Sequence, residues 1–235
     1  MTRLAATIWS LLTVLAAPAL ANERVVVVEL FTSQGCYSCP PADDILLDIH
    51  NTHDDVLALS LHVDYWDYLG WKDVFAQPQF TARQAAYNEN LNSRYRLVTP
   101  QMVFDGQDHV AGAHTVKILK AVTAARENAD KVDLNVAVQD GQLTATLAPI
   151  AGSVASDVYL VRYIPSEKVK IDAGENGGKN LKYSNIVREW SKIGEWNGSS
   201  AASFEARLDG DDNAAVIVQV AGSGPVLGAR KLSSN

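Results

Sequence analysis

Cysteine is nearly absent from this chain. Its 235 residues hold two, Cys36 and Cys39. Two thiols cannot complete a four-ligand zinc site alone, and they cannot cross-link a disulfide-rich scaffold. Basic residues are also in short supply: 20 Lys and Arg face 27 Asp and Glu, a net charge of −7 with histidines neutral. Phosphate backbones are bound by clustered Lys and Arg, so a nucleic-acid partner is excluded. Long apolar runs are missing too. The longest stretch, Leu4 to Leu20, is interrupted by Ser10, Thr13 and Pro18 and is short for a membrane span. There is no internal repeat and no low-complexity tract. What remains is a chain with 47% apolar residues, typical of a packed globular protein. Its length suits one large domain or two small ones.

The first residues read as a targeting segment. Arg3 is followed by the broken apolar stretch, and Ala19-Leu20-Ala21 gives a small-x-small cleavage pattern. The expectation is a signal peptide over 1–21, cleaved after Ala21. No cysteine stands there to take a lipid anchor. The mature protein is then periplasmic or secreted, with no membrane span after cleavage. Export permits disulfides.

Strand and helix signals alternate through the first half. Arg24 to Phe31 reads as a buried strand and Pro41 to Ile49 as a helix, with Ala42, Ile45, Leu46 and Ile49 on one face. Asp55 to Val63 is a second strand and Pro78 to Leu91 a helix. Gln101 to Asp105 pairs back onto His109 to Ala111 through an Asp105-Gly106 turn, and Thr115 to Asn128 is an amphipathic helix. From Val132 the character changes to short alternating runs separated by turn residues, which predicts a β-sandwich-like domain over 131–235. Gly174-Glu-Asn-Gly177-Gly178 interrupts it without the strand–loop–helix frame of a phosphate loop.

The two cysteines form Cys36-Tyr-Ser-Cys39, between strand and helix. That placement suits thiol–disulfide chemistry. As a purely structural link, a loop this small contributes roughly 2 kcal/mol. If the helix begins near Cys36, unpaired N–H groups and the helix dipole favour a thiolate. Cys36 is then the exposed nucleophile, and Cys39, one turn in, the resolving thiol. No Lys or Arg flanks the pair in sequence. Thr99-Pro100 precedes the third strand, either as a strand-start residue or as a cis-proline beside a site. Glu29 interrupts an apolar strand. It is either satisfied by an Arg or backbone partner, or it relays a proton beneath Cys39. His62 and Asp64 end the second strand, on the sheet edge where open α/β sheets bind ligands. There His62 serves as a proton carrier, a metal ligand or a hydrogen-bonded edge residue. Eight of the 18 aromatics fall between Tyr65 and Tyr95, enough for an insertion to pack on itself.

The order strand, CxxC, helix, strand, helix, Thr-Pro-strand, hairpin, helix resembles the thioredoxin fold. Residues 22–130 thus look like a thioredoxin-like domain with an insertion over about 64–98. The resemblance implies that Thr99 and Pro100 line the substrate groove, and thioredoxin has an acid at a strand position similar to that of Glu29. Glu-Leu-Phe-Thr-Ser-Gln-Gly-Cys-Tyr-Ser-Cys-Pro-Pro, His-Val-Asp-Tyr-Trp-Asp-Tyr-Leu-Gly-Trp-Lys-Asp, Val98-Thr-Pro-Gln-Met-Val and Tyr183-Ser-Asn-Ile-Val-Arg188 are similar to a secreted bacterial family. That family is classed in the thioredoxin-like superfamily as a domain of unknown function. The expected function is exported thiol–disulfide oxidoreduction on protein thiols or disulfides, with no cofactor beyond the redox disulfide. Two alternatives stay open: copper handling through Cys36, Cys39 and His62, and a non-catalytic binding module.

Overall fold

Every residue of Val26–Thr32 (β1) is buried, as a strand covered on both faces requires. In this computed structural model, residues 25–128 and 130–232 are described; the expected signal peptide 1–21 and Arg24 lie outside them. Val56–His62 (β2) runs parallel to β1 in register from Val26↔Val56 to Thr32↔His62. A parallel pair needs a crossover, and helix Pro40–Thr52 (α1) supplies it. Its Ala42, Leu46 and Ile49 lie against Val26, Val28 and Leu30 of β1. The helix begins at Pro40, one residue before the expected Pro41, so the condition of a start near Cys36 is not met. Pro40 and Pro41 lack N–H groups and suit the first helical positions. Residues 33–39 turn instead, with the Cys36 amide donating to Ser33 O and the Cys39 amide to Cys36 O.

Pro78–Asn90 (α2) covers the opposite face, where Phe80 and Tyr87 join Val27 and Phe31. Gln101–Phe104 (β3) and Asp108–Ala111 (β4) extend the sheet antiparallel to β1. Thr115–Arg126 (α3) packs Ile118 and Val122 on the α1 side.

The second half departs from the expected sandwich. Its strands are Leu134–Gln139 (β5), Gln142–Leu147 (β6), Ser156–Lys170 (β7), Asn180–Trp196 (β8), Ala202–Arg207 (β9), Asn213–Val220 (β10) and Val226–Leu232 (β11). Four of them join the first half in one mixed eight-stranded sheet, ordered β11-β10-β7-β8-β2-β1-β3-β4, and β5-β6-β9 form a second sheet. The reason lies in side-chain alternation. Val158 and Leu160 of β7, with Val216 and Val218 of β10, bury against the small sheet. Val161 and Tyr163, with Ala215 and Ile217, bury on the core containing α2. Strands apolar on both faces can be shared between layers.

The β7–β8 hairpin is long, with strands of 15 and 17 residues. β8 pairs with β2 in parallel at Ser60↔Ile186. Before that point it passes α1: Asn185, at φ +46°, donates to Ala58 O and to His50 of α1. The hairpin tip then arrives at the loop carrying Cys36. Among the described residues no helix is long and apolar enough to cross a membrane.

Candidate functional site

Parallel β1 and β2 end together at Thr32 and His62. Because β3 runs antiparallel to β1, its start lies at the same edge, with Phe31 opposite Gln101. The edge therefore gathers the 33–39 loop, the 63–77 loop and Thr99-Pro100. Cys36 and Cys39 form a disulfide. The Thr99–Pro100 bond is cis. The Thr99 hydroxyl donates to Cys36 Sγ at 3.2 Å and accepts from Trp66 Nε1 at 2.7 Å. Ser38 Oγ lies 3.5 Å from Cys36 Sγ and from Thr99 O. Gly35 is tightly packed: a Cβ there would stand 3.2 Å from that of Trp66.

Cys36 is not the exposed thiol the sequence suggests. It is 3% exposed and Cys39 fully buried, while Tyr37 beside it is 68% exposed. Ser38 and Tyr68 are likewise open to solvent, and Tyr68 stacks on Trp66. Cys36 thus keeps a small exposure that Cys39 lacks, beside exposed Tyr37 and Ser38.

His62 is placed at the edge, fully buried, but its partner is not Asp64. Its Nδ1 lies 2.7 Å from Asp73 Oδ2, the same oxygen that accepts the Gln34 amide at 2.7 Å. Asp64 instead accepts from the Thr81 hydroxyl of α2. The His62 ring sits edge-on to Phe75 and Tyr183. Burial alone pushes the Asp73 carboxyl up, but His62 and the Gln34 and Phe75 amides outweigh it and hold it below its ordinary value of 3.8. Asp43, in the first turn of α1, is pushed well up by burial, with Asp44 and Asp73 adding repulsion. Burial also raises the Tyr183 phenol, reinforced by Asp43 and Asp73. Buried His62 Nε2, Tyr183 OH and Asp43 Oδ1 have no hydrogen-bond partner among the described residues.

A depressed carboxyl stabilises the fold above its unfolded value and stops doing so as pH falls through the folded one. Asp73→Ala should therefore cost about 1–3 kcal/mol in urea unfolding at pH 7. The gap to the parent should close toward pH 2; an equal gap at both pH values would contradict the role given to the carboxylate.

Glu29 lies elsewhere. It alternates with Val28 and Leu30, so it faces away from α1 and Cys39. Its carboxylate takes both Arg83 contacts, at 2.6 and 2.9 Å, and the Tyr87 hydroxyl. This satisfied ion pair replaces the proton relay beneath Cys39. Nor do Cys36, Cys39 and His62 converge as ligands: among the described residues, no group of three or more His, Cys, Asp or Glu could hold a metal ion.

The hairpin tip brings residues that the sequence gave no reason to place here. Asn176 is fully buried, and its amide nitrogen donates to Gln34 O and Cys36 O, both at 2.9 Å. Its oxygen accepts from Lys179 Nζ at 2.8 Å. Lys179 Nζ also lies 4.8 Å from the centre of the Tyr37 ring, and Glu175 accepts the Tyr37 amide at 3.3 Å. Gly174, at φ +72°, lets the tip press on Leu69 and Trp71, since a Cβ there would be 3.1 Å from that of Trp71. The glycines around Asn176 mark a turn and no more; Asp73 was visible as an acid in the aromatic insertion, without its partner.

Fold and site together define a mixed α/β protein with a Cys-x-x-Cys disulfide beside a cis Thr–Pro bond. The chain belongs to the family described as Protein of unknown function (DUF1223), whose profile matches residues 27–221. An X-ray crystal structure of a protein from Agrobacterium tumefaciens is similar, at 31% identity and TM-score 0.76, covering 92% of this chain and 97% of that one. HBP35 of Porphyromonas gingivalis shares the fold at 15% identity and TM-score 0.59, over 91% of this chain and 76% of its own. No curated protein matches.

Proposed function

We propose that the protein is an exported thiol–disulfide oxidoreductase, built on a thioredoxin-like core over 22–130, that acts on protein thiols or disulfides. The observation supporting this most is the contact of the Thr99 hydroxyl, next to cis Pro100, with Cys36 Sγ. In the oxidised protein a substrate thiolate attacks Cys36 Sγ. The Cys36–Cys39 bond breaks, and Cys39 leaves as a thiolate that takes up a proton. A second substrate thiolate attacks the substrate sulfur of the mixed disulfide, releasing Cys36 and an oxidised substrate. Two electrons pass to the protein and the substrate gains one disulfide. The reverse sequence reduces a substrate disulfide. Exposed Tyr37, Ser38 and Tyr68 border Cys36 and are where a substrate chain would first touch.

The test is catalysis itself. The oxidised protein should accelerate disulfide formation in a reduced, unfolded substrate, or the reduced protein should accelerate insulin reduction by dithiothreitol. Failure of both, with the disulfide shown to be reducible, would leave the reading without an activity. The second reading, a non-catalytic module, draws on the low exposure of both cysteines; it predicts a disulfide that glutathione does not exchange in the folded protein.

A further inference from the structure

We infer that the β7–β8 hairpin tip is the electrostatic control of Cys36: Lys179 is the cation favouring its thiolate, and Asn176 the positioning residue that delivers both. The inference deepens the oxidoreductase reading and takes its site from it. A CxxC pair with no basic neighbour in sequence lacks a usual means of stabilising a thiolate. The fold supplies one from the far hairpin, through Asn176, 140 positions on from Cys36. Asn176 has three polar contacts and uses each: two hold the carbonyls of Gln34 and Cys36, and the third holds Lys179. A buried amide with this pattern fixes the loop in place and anchors the Lys179 ammonium to the same side chain that holds the Cys36 carbonyl.

The neighbouring charges act in opposite directions. From the hairpin, Glu175 approaches the Tyr37 amide and opposes Lys179. From the 63–77 loop, Asp73 holds the Gln34 amide. From α1, Asp43 lies in the first turn after Cys39. From the segment before β3, the Thr99 hydroxyl donates to Cys36 Sγ. Lys179 is thus the one cation among the contacts of the Cys36 loop recorded for the described residues. A favoured thiolate stabilises the reduced form and makes the disulfide more oxidising.

The experiment measures the Cys36 thiol pKa from the pH dependence of iodoacetamide alkylation, on protein reduced with dithiothreitol and carrying Cys39→Ser. Lys179→Met should raise that pKa, slowing alkylation about threefold at a pH below it, as expected for loss of one partly screened charge. Lys179→Arg should restore it. Glu175→Gln should shift it the other way. Asn176→Ala should raise it as well, and combining it with Lys179→Met should add little, because Asn176 acts through Lys179. Both Lys179 and Glu175 are exposed, so their variants remain foldable even where Asn176→Ala is not. An unchanged pKa in Lys179→Met, or shifts of the same sign in Lys179→Met and Glu175→Gln, would overturn the inference. The alkylation readout does not require turnover. A parent inactive on insulin and on reduced substrate, with these shifts intact, would therefore sink the oxidoreductase reading and leave the control of Cys36 standing.

Discussion

Cys36→Ser should abolish thiol–disulfide exchange, while Cys39→Ser should capture a partner and fail to release it. The two cysteines are not equivalent in their surroundings. Cys39 is fully buried at the N-terminal boundary of α1. Cys36 contacts Thr99 and Ser38, next to solvent-exposed Tyr37. A sulfur is attacked where a partner can line up with the disulfide, and of the two cysteines Cys36 keeps 3% exposure where Cys39 has none. Without Cys36 the attacked sulfur is gone, so turnover should fall to the uncatalysed level. Without Cys39 the first exchange still proceeds, but the resolving thiolate is missing and the mixed disulfide accumulates. Incubation with oxidised glutathione, followed by mass spectrometry, should find a stoichiometric adduct on Cys39→Ser and none on Cys36→Ser. An adduct on Cys39 in Cys36→Ser, formed at a comparable rate, would reverse the assignment.

Arg83→Leu should cause the largest loss of stability. Arg83 and Glu29 are 8% and 1% exposed. The Arg83 guanidinium also donates to Tyr87 OH and Gln219 Oε1, and lies 3.7 Å from the centre of the Trp190 ring. Burial pulls its pKa down, but Glu29 and Tyr87 more than offset this and hold it above the ordinary arginine value. Removing one member of such a pair strands the other as a buried charge, at a cost of about 3–5 kcal/mol. For a chain of this size that lowers Tm by roughly 10 °C. Glu29→Leu combined with Arg83→Leu removes both charges and should be more stable than Arg83→Leu alone. A single variant losing under about 1 kcal/mol in urea would show that the pair is solvated. Glu29→Gln should leave exchange kinetics unchanged, since the carboxylate faces away from Cys39.

Much of this was legible in the residues, and the rest was hidden for physical reasons. β1, α1, β2, α2 and the β3–β4 hairpin follow from local periodicity and turn chemistry, which act over a few residues. The juxtaposition of Cys36 with Thr99 was legible through the thioredoxin resemblance, and in the structure it arises because parallel β1 and β2 and an antiparallel β3 meet at one edge. The partner of His62 did not follow. Asp64 and Asp73 both lie in the loop after β2, and only the path of that loop decides which carboxylate turns inward. The role of Glu29 depended on which face of β1 it occupies, a parity that fixes its partner as α2 instead of α1. Asn176 was the least accessible, since nothing local distinguishes an asparagine between glycines from an ordinary turn. The separate sandwich failed for a related reason: alternation marks a strand but does not say which sheet it joins.

The grip of Asn176 on the Cys36 carbonyl spans 140 positions of sequence. Loop-closure cost grows only slowly with such a span, but non-local contacts of this kind slow folding. The helices and the β1–β2 pair draw on the first half alone, whereas the final form of the Cys36 loop also needs the β7–β8 hairpin beside β2. The setting of Cys36 and Cys39 is thus a joint property of both halves of the chain: ending it after α3 would keep both cysteines and remove Asn176 and Lys179.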